Sequence, residues 1–253
     1  MIRSGILSLA VCAMTVGVVA AEDLTRDQII DAFVQSLKEN DQIEDLDRSR
    51  ALEAVDDLRR DRRAQGTVIN EGLRLAYPQF GKALAALGDE RYDDATQTFD
   101  ELMNAENRFL ATSAMLFQSR SYAMQHRHDE ALGLLQDIEA NHKNNTLNLP
   151  EVVFLTAEAE AQLLQREEAI ATFNRFLQDF PDAPRRLRDA AVAHLEKLDE
   201  IDFSLLNDVH DKMSFSHRQL TKEESGQRTQ KVQENVVALL TELIEEIEKK
   251  GGS

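Results

Sequence analysis

Three segments of this chain share one spacing of acidic, alanine and apolar residues. In each segment an acid precedes an alanine, and large apolar residues follow four and seven positions after it. The alanines are Ala95, Ala131 and Ala169, which lie 36 and 38 residues apart. Such an interval is typical of repeats in which one helix pair cannot bury its apolar face alone. The sequence therefore predicts a helical repeat array, a form that usually presents an extended concave surface to a partner.

The small size of the three alanines predicts where they lie. Only a small side chain lets the two helices of a pair approach closely, so we expect all three to be buried at the helix crossings. The rest of the composition favours an all-α fold, because the chain has only 4 prolines and 10 glycines and 30% charged residues. No segment alternates apolar and polar residues as a half-buried strand does.

The first 21 residues resemble a secretory signal peptide. Arg3 is the only charge, an apolar run extends from Ile6, and small residues precede a cleavage site at Ala21. An uncleaved anchor is the alternative, although the run is shorter than the roughly 20 residues that span a bilayer. We expect an exported protein of the periplasm or cell envelope. Cleavage would remove Cys12, the single cysteine, and leave a mature chain without thiols.

An excess of acidic residues restricts the classes of partner. The chain has 46 Asp and Glu against 29 Lys and Arg, a formal net charge of -17. Nucleic acid and anionic lipid both require a basic surface, so neither is an expected partner. We also expect no membrane insertion once the signal is removed.

The chain divides into four parts by its apolar pattern and its turn signals. Residues 1–21 are the signal peptide, and residues 22–77 form helices that we expect to cap the array. The helix pairs occupy residues 78–199, and a C-terminal helical hairpin occupies residues 200–250. The last helix carries a wide apolar face, from Val236 to Ile247, which predicts that the hairpin docks onto the end of the last repeat.

These repeats resemble the tetratricopeptide (TPR) family. The residues that carry the resemblance are Tyr92, Ala95 and Phe99 in the first repeat, Tyr122 and Ala131 in the second, and Ala169, Phe173 and Pro181 in the third. Glu160 departs from the pattern, since it occupies the position of the tyrosine in the first helix of a pair. The resemblance implies an α-solenoid of about three helix pairs, and the third repeat is similar to those of exported bacterial envelope proteins.

Catalytic patterns are weak in this sequence. It lacks a Gly-x-Ser-x-Gly segment, and Gly81-Lys82 is followed by alanine rather than by the Ser or Thr of a phosphate-binding loop. His126 and His128 are the most metal-like pair, but an i, i+2 spacing across a turn does not match the i, i+4 pair of helical zinc sites. We expect no cofactor, no metal and no catalysis, and a metal-dependent hydrolase that uses the histidines is the least favoured alternative.

The predicted function is therefore that of a non-catalytic scaffold, which binds a protein or peptide in the groove formed by the first helices of the repeats. The candidate partner-binding residues are Gln79, Lys82, Met115, Gln118, Tyr122, Thr156 and Glu160. For the apolar members, packing against neighbouring helices is an equal alternative. A second class is a structural or oligomerising protein that acts through its C-terminal amphipathic helix. A monomer is favoured, and a dimer remains open.

Overall fold

The computed structural model describes residues 23–61, 66–200, 205–221 and 226–251. The predicted signal peptide, residues 1–21, lies outside these ranges. Within them the chain is all-α, with twelve α-helices that pack mainly against their sequential neighbours. This order is consistent with a helical repeat array. In the described part of the chain, no helix is both long and apolar enough to cross a membrane.

The helices follow one another with short connections. The first six are α1 Arg26–Glu39, α2 Asp45–Arg59, α3 Thr67–Ala76, α4 Pro78–Gly88, α5 Tyr92–Leu102 and α6 Arg108–Met124. The last six are α7 His128–Asn141, α8 Leu149–Gln162, α9 Arg166–Asp179, α10 Arg185–Glu200, α11 Leu205–Thr221 and α12 Gln227–Gly251. A short 3₁₀ turn, Lys143–Asn145, lies between α7 and α8.

Three consecutive helix pairs, α4/α5, α6/α7 and α8/α9, are joined by the same tight turn. In each turn one residue other than glycine is left-handed: Glu90 at φ 60°, His126 at φ 59° and Leu164 at φ 58°. The amide of the next residue donates to a carbonyl five positions back, as from Arg91 to Ala86 at 2.9 Å. This hydrogen bond closes a Schellman motif, which satisfies a carbonyl at the helix end. Each turn therefore ends one helix and starts its partner in the same geometry.

The prediction that the repeated alanines are buried is confirmed. Ala95, Ala131 and Ala169 are 0%, 1% and 0% exposed. The apolar residues that follow them at four and seven positions are also buried: Phe99, Leu102, Leu135, Ile138, Phe173 and Phe176. The shared spacing thus places one small and two large side chains of each second helix in the core.

The N-terminal helices belong to the same core as the first repeats. A capping box at Thr25 starts α1, whose apolar face carries Phe33 into the interior. The Phe33 and Phe109 rings are 5.2 Å apart, which joins α1 to the start of α6. On the same side Leu24 N donates to Asn144 Oδ1 at 3.1 Å. The polar connection between α7 and α8 is therefore packed against the beginning of the array.

The C-terminal hairpin, α11 with α12, packs against the second and third helix pairs. Phe215 of α11 is 1% exposed and packs with Leu132, Ala159 and Leu163, beside the α6–α7 and α8–α9 turns. Arg228 donates to the Leu163 carbonyl at 2.6 Å and stacks over the Phe215 ring. The prediction that the hairpin docks onto the last repeat is confirmed in part, since Ala159 and Leu163 belong to that repeat, but Leu132 of the second pair contributes as well.

Helix α10 ends the array with a largely polar outer face. Val192 on this face is 44% exposed, and Arg185, Arg186 and Glu196 are exposed beside it. Arg185 pairs with Asp189 on its own helix at 3.2 Å. Among the described residues, Arg185, Arg186 and Arg188 form no ion pair with an acid on another helix.

Candidate binding cleft

A cleft of about 250 Å³ opens between α6 and α8, and we call it the central cleft. Ala131 and Leu135 of α7 form its apolar floor. The walls come from α6, α8, α10 and the turn before α7. The residues that line them are Ser119, Arg120, Ala123, His126, His128, Leu155, Glu158, Ala159, Gln162 and His194. An apolar floor with a polar rim suits a short extended segment of a partner.

Two side-chain contacts lie at the rim of the central cleft. Arg120 forms an ion pair with Glu151 across the α6–α8 gap, and its guanidinium lies 4.5 Å from the centre of the Phe117 ring. On the opposite side Nε2 of His194 is 3.3 Å from a Glu158 carboxylate oxygen. These groups offer hydrogen-bond donors and acceptors to the main chain or polar side chains of a bound segment.

The His194 ring is fixed by aromatic packing. It stacks on Phe173 with the ring centres 5.1 Å apart and an angle of 8° between the planes. Because Phe173 belongs to the repeated pattern, the same spacing that builds the core also positions this imidazole. Helix α10 thereby contributes a residue to the central cleft from outside the three repeated pairs.

The two histidines that the sequence singled out lie at one edge of the central cleft. Their ring centres are 5.9 Å apart, with His126 exposed in the left-handed turn and His128 buried at the start of α7. Among the described residues, no three or more His, Cys, Asp or Glu side chains are placed to hold a metal ion. The His126–His128 turn serves to connect α6 to α7.

The structure separates the seven predicted partner-binding residues into two groups. Gln79 and Lys82 are exposed on α4, and neither lines the central cleft. Met115 is buried in the core between α6, α7 and α8. Gln118 is buried as well, and its Nε2 donates to Asp100 Oδ1 of α5 at 3.1 Å. These two α6 side chains therefore face neighbouring helices rather than the cleft.

The remaining three predicted residues also face helices. Thr156 is buried and donates to the Val152 carbonyl at 2.9 Å, while Tyr122 is half-buried beneath the Arg127 guanidinium at 4.1 Å. Glu160 is buried, and burial raises the pKa of its carboxyl group, an effect that a hydrogen bond with Thr172 partly opposes. Partner binding by these residues stays a prediction, and it would require their packing to change.

None of the seven predicted residues lines the central cleft, although five of them lie on α6 and α8, which do. Arg120 and Ala123 lie within two positions of Gln118 and Tyr122, and Glu158 and Gln162 lie within two positions of Glu160. A helix turns about 100° per residue, so an error of one or two positions exchanges the open face for the packed one. The small residues Ser119, Ala123 and Ala159 were the available signal, because a cleft persists where facing side chains are short.

Comparison with known proteins adds no family assignment. No protein-family model matches the chain, and neither a curated protein nor a solved structure is significantly similar to it.

Proposed function

We propose that this chain is an exported, non-catalytic scaffold of the periplasm or cell envelope, which binds a peptide or protein segment in the central cleft. Its three helix pairs form a TPR-like α-solenoid on this proposal. The central cleft is the observation that carries the proposal, because it combines an apolar floor with fixed polar groups on neighbouring repeats. The signal-like residues 1–21 support the proposed location.

The test is site-directed photocrosslinking in cells. A photoreactive residue at Gln162, which is exposed at the cleft rim, should capture one partner. The same residue at Asn174, exposed on α9 away from the cleft, should not. Ala123→Trp, which fills the cleft from α6, should abolish capture, whereas Ala193→Trp on the exposed face of α10 should leave it unchanged. Equal capture from Gln162 and Asn174 would contradict the proposal.

A second candidate function, self-association through α12, is favoured by a separate observation. Val237, Leu240 and Ile244 are exposed on this helix, beside the stripe that faces α11. Exposed apolar side chains at this spacing can pair with a second copy. Light scattering on the purified protein decides this alternative: a dimer that Leu240→Glu converts to a monomer would support it, and a monomer at high concentration would exclude it.

A further inference from the structure

A second cleft, of about 200 Å³, lies between α10 and α11, and we call it the terminal cleft. It adjoins the central cleft, because Gln162 and His194 line both. A segment that leaves the central cleft toward α10 therefore passes directly over the terminal cleft.

The charge of the terminal cleft is opposite to that of the chain. Four cations line it against two carboxylates, whereas the whole chain has 29 Lys and Arg against 46 Asp and Glu. The two carboxylates are Asp208 and Asp211, and Asp208 is already bound by Lys212. The cleft therefore concentrates positive charge in an acidic protein.

Two of the cations have no carboxylate partner among the described residues. Lys197 is exposed in the last turn of α10 and takes part in no ion pair with a residue of the described ranges. Arg218 donates to the Gln162 carbonyl at 2.8 Å but forms no ion pair within that part of the chain. Burial lowers the pKa of Arg218, and the charge of Asp211 offsets this only partly. A guanidinium that is partly removed from water, and whose charge is only partly balanced by a nearby carboxylate, is stabilised when a further anion binds beside it.

We propose that the terminal cleft binds a carboxylate of the segment held in the central cleft, so that the preferred partner is a peptide with an Asp or Glu near one end. This inference rests on the proposed function. Lys197 and Arg218 supply the charge, and Ser214, which also lines the cleft, supplies a hydroxyl donor. The net negative charge of the chain disfavours anions in general, so a local excess of cations is a favoured position for an acidic segment.

Peptide selection on the intact protein tests the inference. Random dodecapeptides displayed on phage should be selected with Asp and Glu enriched over the starting library. The test variant is Lys197→Gln, and Lys38→Gln is its matched control, since both remove an exposed lysine from the last turn of a helix. Enrichment of acids should weaken on K197Q and persist on K38Q.

A double-mutant cycle then measures the contact itself. A selected peptide should bind K197Q about 5-fold more weakly than wild type, and its Glu→Gln analogue should bind both proteins equally. Selected peptides without acid enrichment, or equal effects of K197Q and K38Q, would overturn the inference and leave the proposed function standing. Failure to select any peptide would overturn both. Binding of free glutarate without selection of acidic peptides would assign the cleft to a small carboxylate instead.

Discussion

The loss of stability caused by a larger side chain at a helix crossing should depend on whether empty space lies beside that crossing. Ala169 is 0% exposed and packed among Val153, Phe154 and Phe173, so the larger side chain of Ala169→Leu has no room. Inserting extra methylenes into such a core costs about 1–3 kcal/mol. For a chain of this size, that corresponds to a fall in melting temperature of about 2–12 °C.

Ala131→Leu should lower the stability by less than Ala169→Leu does, although Ala131 is also buried and occupies the equivalent position of its repeat. Ala131 forms part of the floor of the central cleft, whose volume of about 250 Å³ can take the added carbon atoms. Thermal unfolding followed by circular dichroism compares the two variants, with Ala193→Leu on the exposed face of α10 as the control, expected within about 0.5 kcal/mol of wild type. If Ala131→Leu were the more destabilising change, the open cleft beside it would be refuted.

Three further predictions concern the turns, the buried acid and the hairpin. Glu90→Gly should stabilise the protein by about 1 kcal/mol in urea unfolding, because glycine adopts the left-handed conformation without strain, and an unchanged midpoint would contradict this turn geometry. Glu160→Gln should stabilise by about 1 kcal/mol at neutral pH, since the raised pKa means that the folded state disfavours the ionised carboxylate. The stability of the wild-type protein rises as the pH falls through the pKa of Glu160 in the folded state. The stability difference between the variant and wild type should therefore vanish below the ordinary pKa of glutamate. A stability difference that does not change with pH would exclude ionisation of Glu160 as its cause. Phe215→Ala should release the hairpin, so trypsin should cleave residues 205–251 faster than in wild type, while Met213→Ala, at an exposed position of the same helix, should leave the cleavage rate unchanged. Equal rates in both variants would show that Phe215 is not the anchor.

The sequence predicted the parts of the fold that are set by local spacing. Ala95, Ala131 and Ala169 are buried, as their pattern predicts. The pattern succeeds because each helix pair buries the same small and large side chains against its sequential neighbours. The left-handed residues were not predictable, because glutamate, histidine and leucine rarely adopt this conformation.

Features that depend on contacts between residues far apart in the sequence could not be predicted from local sequence patterns. Local spacing does not show that Phe215 of α11 is buried against Leu132 and Leu163. To predict the central cleft, one must know to within one residue how α6 and α8 are rotated about their axes. The buried surface of α6 does not fix this rotation, since the residues from Phe109 to Ser121 are almost all buried. Five of the seven predicted residues therefore lie on α6 and α8, but none of the seven lines the central cleft.

The polar outer face of α10 affects whether copies of the array can stack end to end. Stacked repeats use one kind of interface, so an array with a bare apolar end can add a second molecule head to tail and grow into a filament. Arg185, Arg186 and Glu196 would each have to leave water in such a contact. Charge at this end of the array therefore opposes head-to-tail stacking of copies.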